Sequence, residues 1–159
     1  MRWEEIGSQT CSLARTLAVV GDRWTLLVLR QAFAGTRRFN DFQAQLGLTT
    51  HRLSERLQKL VEEGIFERRL YSAKPERHEY RLTEKGRDLY PVLLAMFRFG
   101  DRWLAGSAGP PIVFVHKACG HDAEAALTCS HCGGPLTARD VEPRPGPGLR
   151  PARGRPARR

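Results

Sequence analysis

The stretch that most constrains this chain is 36–82. Two helical periodicities, divided by a glycine, are followed there by two Arg-containing strand-like runs. In the second helical segment Leu53, Leu57, Leu60 and Val61 recur at i, i+4, i+7 and i+8, forming one apolar stripe. Arg52, Arg56 and Lys59 keep the same period on a different side. One side can therefore pack into a domain while another turns cationic side chains outward. Thr49 stands where a hydroxyl can accept from an orphan N–H, and Thr50, His51 and Arg52 make up the first turn. Taken alone, this is also the pattern of a solvated surface helix. The flanking segments narrow the reading. Phe39, Phe42 and Leu46 give a shorter helix its apolar side, and Gly47 and Gly64 stop the two helices. Runs at 65–71 and 78–82 surround a tip at 73–76 that contains Pro75, which is a hairpin pattern. Helix, turn, helix and basic hairpin is the order of a winged helix-turn-helix. In helix-turn-helix proteins the first turn of the second helix reaches base edges.

The rest of the chain divides around this stretch. Residues 1–10 form a loose lead-in with Trp3 as their large apolar group. Leu13, Leu17 and Val20 predict a helix over 12–20, Gly21-Asp22 breaks it, and a helix apolar nearly all round resumes over 24–33. Thr83 is a good N-cap for a single long helix to about Leu104. The apolar side of that helix holds Leu89, Val92, Leu93, Met96, Phe97 and Trp103, with Phe99 to one side. This is more apolar surface than a small winged helix covers by itself. It is expected to pack on the first helix or pair with a second copy, and a two-fold homodimer matches paired DNA half-sites. The expected division is thus 1–106 for DNA binding and dimerisation, a hinge at 107–111, a compact unit at 112–141, and a Pro/Gly/Arg-rich tail at 142–159.

Charge is weaker evidence than it first looks. The formal net charge is +9, and six of those charges are tail arginines within 143–159. A segment of that composition is expected to be disordered and could add salt-sensitive, non-specific DNA affinity. No apolar run is long enough to span a bilayer and the start is no signal peptide, so a cytoplasmic location without membrane contact is expected.

Several ordered blocks resemble the HxlR-type transcriptional regulators: Cys11-Ser-Leu-Ala-Arg-Thr-Leu, Gly21-Asp-Arg-Trp-Thr-Leu-Leu, Arg38-Phe-Asn-Asp-Phe, Leu53-Ser-Glu-Arg-Leu and Glu79-Tyr-Arg-Leu-Thr-Glu-Lys-Gly. Together they cover about residues 9–104. The resemblance implies a mainly α fold with a small β-hairpin wing, dimeric and bound to double-stranded operator DNA. The chain departs from that pattern in having Thr50 where proline is common, which exchanges preset backbone geometry for a hydroxyl able to reach a phosphate. Carried over by position, the DNA-binding residues are Arg38, Thr49, Thr50, His51, Arg52, Arg56 and Lys59, with Lys74 and Arg77 at the wing tip. Arg52 is the candidate for a guanine edge, whereas Arg56 and Lys59 are expected on phosphates. Some members of the family sense oxidants or electrophiles through a cysteine near Cys11. Such a role needs a thiolate close to positive charge or a helix N-terminus, and the alternative is a buried thiol that only packs.

A different signal lies beyond the hinge. His116-x2-Cys119 and Cys129-x2-Cys132 are two soft-ligand pairs at knuckle spacing, nine residues apart. They suit a tetrahedral structural Zn2+, with His121 or His131 as alternatives to His116. Runs at 112–115 and 125–128 read as strands entering the knuckles of a zinc-ribbon-like β unit. A unit of about thirty residues gains little from apolar burial, and a metal would supply the missing folding energy. The alternative is a metal-free hairpin.

The function expected is a DNA-binding regulator, in the repressor sense if its operator overlaps a promoter, responsive to a small-molecule or oxidant effector. The rival from another class is a protein-interaction adaptor that uses a winged helix and zinc ribbon without reading sequence. An enzyme is disfavoured: no nucleophile–base pair or Gly-rich phosphate loop is legible, and a four-ligand metal site is closed to substrate.

Overall fold

The structure is a computed structural model that describes residues 3–149. The chain forms two compact units, Val19–Ala126 and the combination of Met1–Ala18 with Leu127–Arg159. Helix α1 spans Ser12–Val20, α2 Arg23–Phe33, α3 Phe39–Leu46 and α4 Thr50–Glu62. The strands β1 (Phe66–Ala73) and β2 (Glu76–Leu82) follow, then α5 (Glu84–Arg87) and α6 (Tyr90–Leu104). This is the winged helix-turn-helix order, mainly helical with a two-stranded antiparallel sheet.

Local chemistry sets the helix boundaries. Asp22 caps α2 by accepting from Trp24 N and Thr25 N at 3.0 and 3.2 Å. Gly47, with φ of 63°, ends α3 in the left-handed region, and its N–H donates to Gln43 O. Thr49 Oγ1 accepts from Arg52 N to start α4. The stripe expected on α4 is the buried one: Leu53, Leu57 and Leu60 are all at 0% exposure. They pack with Val28 and Leu29 of α2, Phe42 of α3, and Ile65 and Phe66 at the wing root. Fully burying each such side chain is worth about 1.5–3 kcal/mol.

The wing pairs Phe66 with Leu82 and runs in register to Leu70 opposite His78, where a bulge at Tyr71 shifts the pairing. It is anchored at two points. Tyr80 N donates to Arg37 O at 2.8 Å, and at the root Thr83 N donates to Ile65 O at 3.0 Å. Thr83 Oγ1 donates to Gly64 O at 2.6 Å and accepts from Gly86 N at 3.1 Å, so one hydroxyl links the end of α4 to α5.

Two sequence expectations change. The single helix expected from Thr83 to Leu104 is broken between Arg87 and Tyr90. Pro91 near the start of α6 is the cause: it has no N–H for the Arg87 carbonyl, and its ring clashes with a continuing turn. The β unit expected at 112–141 contains no strand among the described residues. Its extended runs form only isolated bridges, Val115 with Asp122 and Thr128 with Pro135. The arginine tail falls largely at 150–159, outside the described residues, and 142–149 has no helix or strand.

Candidate nucleic-acid interface

The first turn of α4 is exposed at Thr50, His51 and Arg52. It is held from behind: Gln43 Nε2 of α3 donates to Thr50 Oγ1 at 3.0 Å and to Leu48 O at 3.3 Å. The Thr50 hydroxyl accepts in that bond, so its own proton stays available to a phosphate oxygen. His51 Nδ1 lies 3.5 Å from Glu55 Oε2 one turn on. The Thr49 hydroxyl accepts from Arg52 N as the cap of α4.

Arg52 and Arg56, one turn apart on α4, have different surroundings. Arg52 is exposed, its backbone N–H donates to the Thr49 hydroxyl, and its guanidinium makes no hydrogen bond or ion pair among the described residues. Arg56 is half-buried: its Nε lies 3.5 Å from Asp22 Oδ1, is closed off from solvent, and makes no hydrogen bond of good geometry. Asp22 is not among the site residues expected from the sequence. Its cap position is legible in Asp22-Arg23-Trp24-Thr25, but its pairing with α4 is not. Gln43, the brace behind Thr50, carries no comparable signal.

The wing supplies a second cationic element. Lys74 and Arg77 flank its tip and are exposed. Arg38, at the N-cap position of α3, stacks its guanidinium 4.7 Å from the Tyr71 ring centroid and bridges by backbone to Glu79, which ties the wing to α3. On the strands Arg68 Nη2 donates to His78 Nδ1 at 2.9 Å. Arginine accepts no hydrogen bonds, so the His78 proton sits on Nε2, 3.6 Å from Glu76. Lys59 lies in the last turn of α4, away from the exposed first turn.

The cysteines lie elsewhere in the sequence. Cys11 is exposed, and its carbonyl accepts from Arg15 N at 3.0 Å, so it stands at the N-cap position of α1. Arg15 Nε is turned to Gln9 O at 2.9 Å. The two knuckles, each taken by itself, repeat one hydrogen-bond pattern at an offset of thirteen residues. In the first, Gly120 N donates to His116 O, His116 N to His121 O, and Ala123 N to Phe114 O. In the second, Gly133 N donates to Cys129 O, Cys129 N to Gly134 O, and Leu136 N to Leu127 O. Each turn closes on a left-handed glycine directly after its last ligand-type residue, Gly120 at φ 73° and Gly133 at φ 72°. Within the first, His116 Nδ1 is 3.3 Å from Cys119 Sγ. Within the second, hydrogen bonds from the Cys132 and His131 backbones, and then from the Cys132 side chain, hold the Cys129 thiol below its ordinary pKa. Among the described residues no three His, Cys, Asp or Glu side chains are grouped so as to hold a metal ion.

An exposed, cationic first turn on a helix seated over a packed core, beside a basic two-stranded wing, defines a winged helix-turn-helix DNA-binding protein. The profile of the HxlR-like helix-turn-helix family matches residues 19–108, more than half of the chain, and the chain belongs to that family. An uncharacterized HTH-type transcriptional regulator of Mycobacterium tuberculosis (strain ATCC 25618 / H37Rv), Rv3095, is 51% identical over 139 residues, which is 87% of this chain and 88% of its own length. The crystal structure of PA1607, a candidate transcription factor, matches with a TM-score of 0.78 at 34% identity, over 87% of this chain and 96% of that one. The redox regulator HypR in its oxidized form matches with a TM-score of 0.54 at 34% identity, over 58% of this chain and 96% of its own. The chain is a DNA-binding transcriptional regulator.

Proposed function

We propose that the protein acts in the cytoplasm, without enzymatic activity, as a homodimer that reads a pseudo-palindromic operator and represses the promoter the operator overlaps. The observation that carries this reading is the Arg52 guanidinium, exposed on the first turn and unpaired among the described residues, one turn from an Arg56 held beside Asp22. Two such turns related by a two-fold axis enter successive major grooves, and the wings flank them. Among the described residues no helix is long and apolar enough to cross a membrane.

Exposed apolar surface on α6 supports the dimer. Val92, Met96, Phe99 and Trp103 of α6 are 44 to 66% exposed. Such a row of apolar side chains is the mark of an interface. Phe99→Asp should cost the dimer about 2–3 kcal/mol, roughly a hundredfold in its dissociation constant, and operator binding should fall with it. Sedimentation equilibrium checks this. A wild-type monomer, or a Phe99→Asp protein that dimerises as tightly as wild type, would contradict the proposal.

The effector proposed is a thiol-reactive oxidant acting at Cys11, supported by its exposure and by the likeness to HypR. Ligation or oxidation near α1 would bias the dimer between two spacings of its recognition helices, and only their differential DNA affinity matters for regulation. The C-terminal knuckles are proposed to take a structural Zn2+ through His116, Cys119, Cys129 and Cys132. The repeated turn geometry and the soft donor set support this. Native mass spectrometry with differential alkylation tests both proposals. One zinc per chain is expected, with Cys11 alkylated at once and Cys119, Cys129 and Cys132 protected until a chelator is added. Absence of metal with four equally reactive thiols would sink the zinc proposal, and an unreactive Cys11 would sink the sensing one.

A further inference from the structure

We infer that Arg56 is a positioning residue: its pairing with Asp22 fixes the azimuth of the recognition helix against the start of α2, and Arg56 itself does not touch DNA. This inference rests on the reading of α4 as the DNA-reading helix.

The helical period places Arg52 and Arg56 on one side of α4, which is why both look like DNA contacts in the sequence. Their surroundings separate them. The Arg56 Nε is closed to solvent and lies 3.5 Å from Asp22 Oδ1, with only 29% of the Arg56 side chain and 32% of the Asp22 side chain exposed. That carboxylate oxygen also accepts the two N–H groups that begin α2. Arg56 is therefore tied to a charge that is itself tied to backbone.

The apolar contacts of α4 cannot do this work alone. Leu53, Leu57 and Leu60 set how deeply the helix sits, but apolar burial is non-directional and tolerates a small roll about the helix axis. A roll of α4 would carry the solvent-closed Arg56 Nε away from the Asp22 carboxylate and leave two partly buried charges without each other, which is costly. Arg52 stands one turn N-terminal on the same side, so whatever holds the azimuth of Arg56 holds that of Arg52 as well. The Nε turned to Asp22 is closed to a phosphate, and a phosphate met by the terminal nitrogens would come close to the Asp22 carboxylate, a like charge that disfavours it.

The two roles predict opposite results for Asp22→Asn. Asparagine keeps the cap acceptor, so α2 still starts correctly, but the charge opposite Arg56 is gone. If Arg56 meets phosphate, removing a competing acid leaves binding unchanged or tighter. If Arg56 positions α4, binding weakens. The experiment measures affinity of the full-length wild-type, Asp22→Asn, Arg56→Gln, Arg56→Lys and double-variant proteins for duplex DNA from the region upstream of the protein's own gene. The measurement is made across a series of NaCl concentrations, with an unrelated duplex as reference.

Asp22→Asn and Arg56→Gln are each expected to weaken binding to the upstream duplex about tenfold. The double variant should be no worse than the weaker single, as for residues acting as one unit. Arg56→Lys should restore part of the loss, and the slope of log affinity against log salt should not change. A slope shallower by about 0.9 in Arg56→Gln, the mark of one lost phosphate contact, with Asp22→Asn at wild-type affinity, would overturn the inference. If Arg56→Gln fails to fold, Asp22→Asn alone decides by the same criterion. Wild-type protein that binds the upstream duplex no better than the unrelated one would instead overturn the DNA-reading assignment of α4, and this inference with it.

Discussion

Gly86→Ala should destabilise the winged helix by about 3 kcal/mol or more, at the upper end of what overpacking usually costs. A β-carbon at Gly86 would stand 2.2 Å from Ile65 O and 3.1 Å from Leu82 Cδ2. The first of these is backbone, so no side-chain rotation relieves it. Nor is Ile65 O free to retreat, because it accepts from Thr83 N at 3.0 Å and lies 3.2 Å from Thr83 Oγ1. Either α5 lifts away from the wing root or the turn after α4 is displaced, and both undo the Thr83 linkage. A domain with typical stability of about 5–15 kcal/mol would lose a large part of it. The thermal midpoint followed by circular dichroism should drop by roughly 10 °C. A midpoint within a degree or two of wild type would show that the close approach of α5 to Ile65 is not as described.

Arg52→Ala should leave stability untouched and remove the preference for a particular operator. The side chain is exposed and makes no hydrogen bond or ion pair among the described residues, and the substitution retains the backbone amide that donates to the Thr49 cap. A surface truncation of this kind changes stability by less than about 0.5 kcal/mol. An arginine fork on guanine is worth about 1–3 kcal/mol of discrimination, roughly five- to 150-fold in affinity per half-site. Non-specific binding depends on phosphates met by other cations and should fall far less. The contrast with Arg56 is informative. Two arginines four residues apart on one helix should give variants that differ in kind: one loses sequence preference, and the other loses the placement of the helix that expresses it.

The features that local rules govern were legible before the fold was known. The Leu53, Leu57 and Leu60 period, the stops at Gly47 and Gly64, and the caps at Thr49 and Thr83 all depend on residues within a turn or two of each other. The break before α6 was also written locally, in Pro91, but the strong apolar pattern over 89–104 outweighed it in a reading by periodicity. Contacts made across the chain were not legible. Nothing near Gly86 in sequence indicates that Ile65 O will sit against it, and Asp22 and Arg56 are 34 positions apart. Both become visible only when α2, α4 and the wing root pack together. The C-terminal hairpins fall between these cases. Their ligand spacing was plain, whereas the β character expected of 112–115 and 125–128 is reduced to single bridges, because a strand needs a neighbour with which to form a ladder.

The central claim is that the exposed first turn of α4, led by Arg52, reads a two-fold operator. A quantitative footprint titration of wild-type and Arg52→Ala protein on the DNA upstream of the protein's own gene tests it most directly. Wild-type protein should protect two related half-sites centred about one helical turn, or a whole number of turns, apart. Arg52→Ala should require far higher concentrations and then protect without preference for either half-site. Uniform protection by wild-type protein, or the same footprint at the same concentration from Arg52→Ala, would contradict the account.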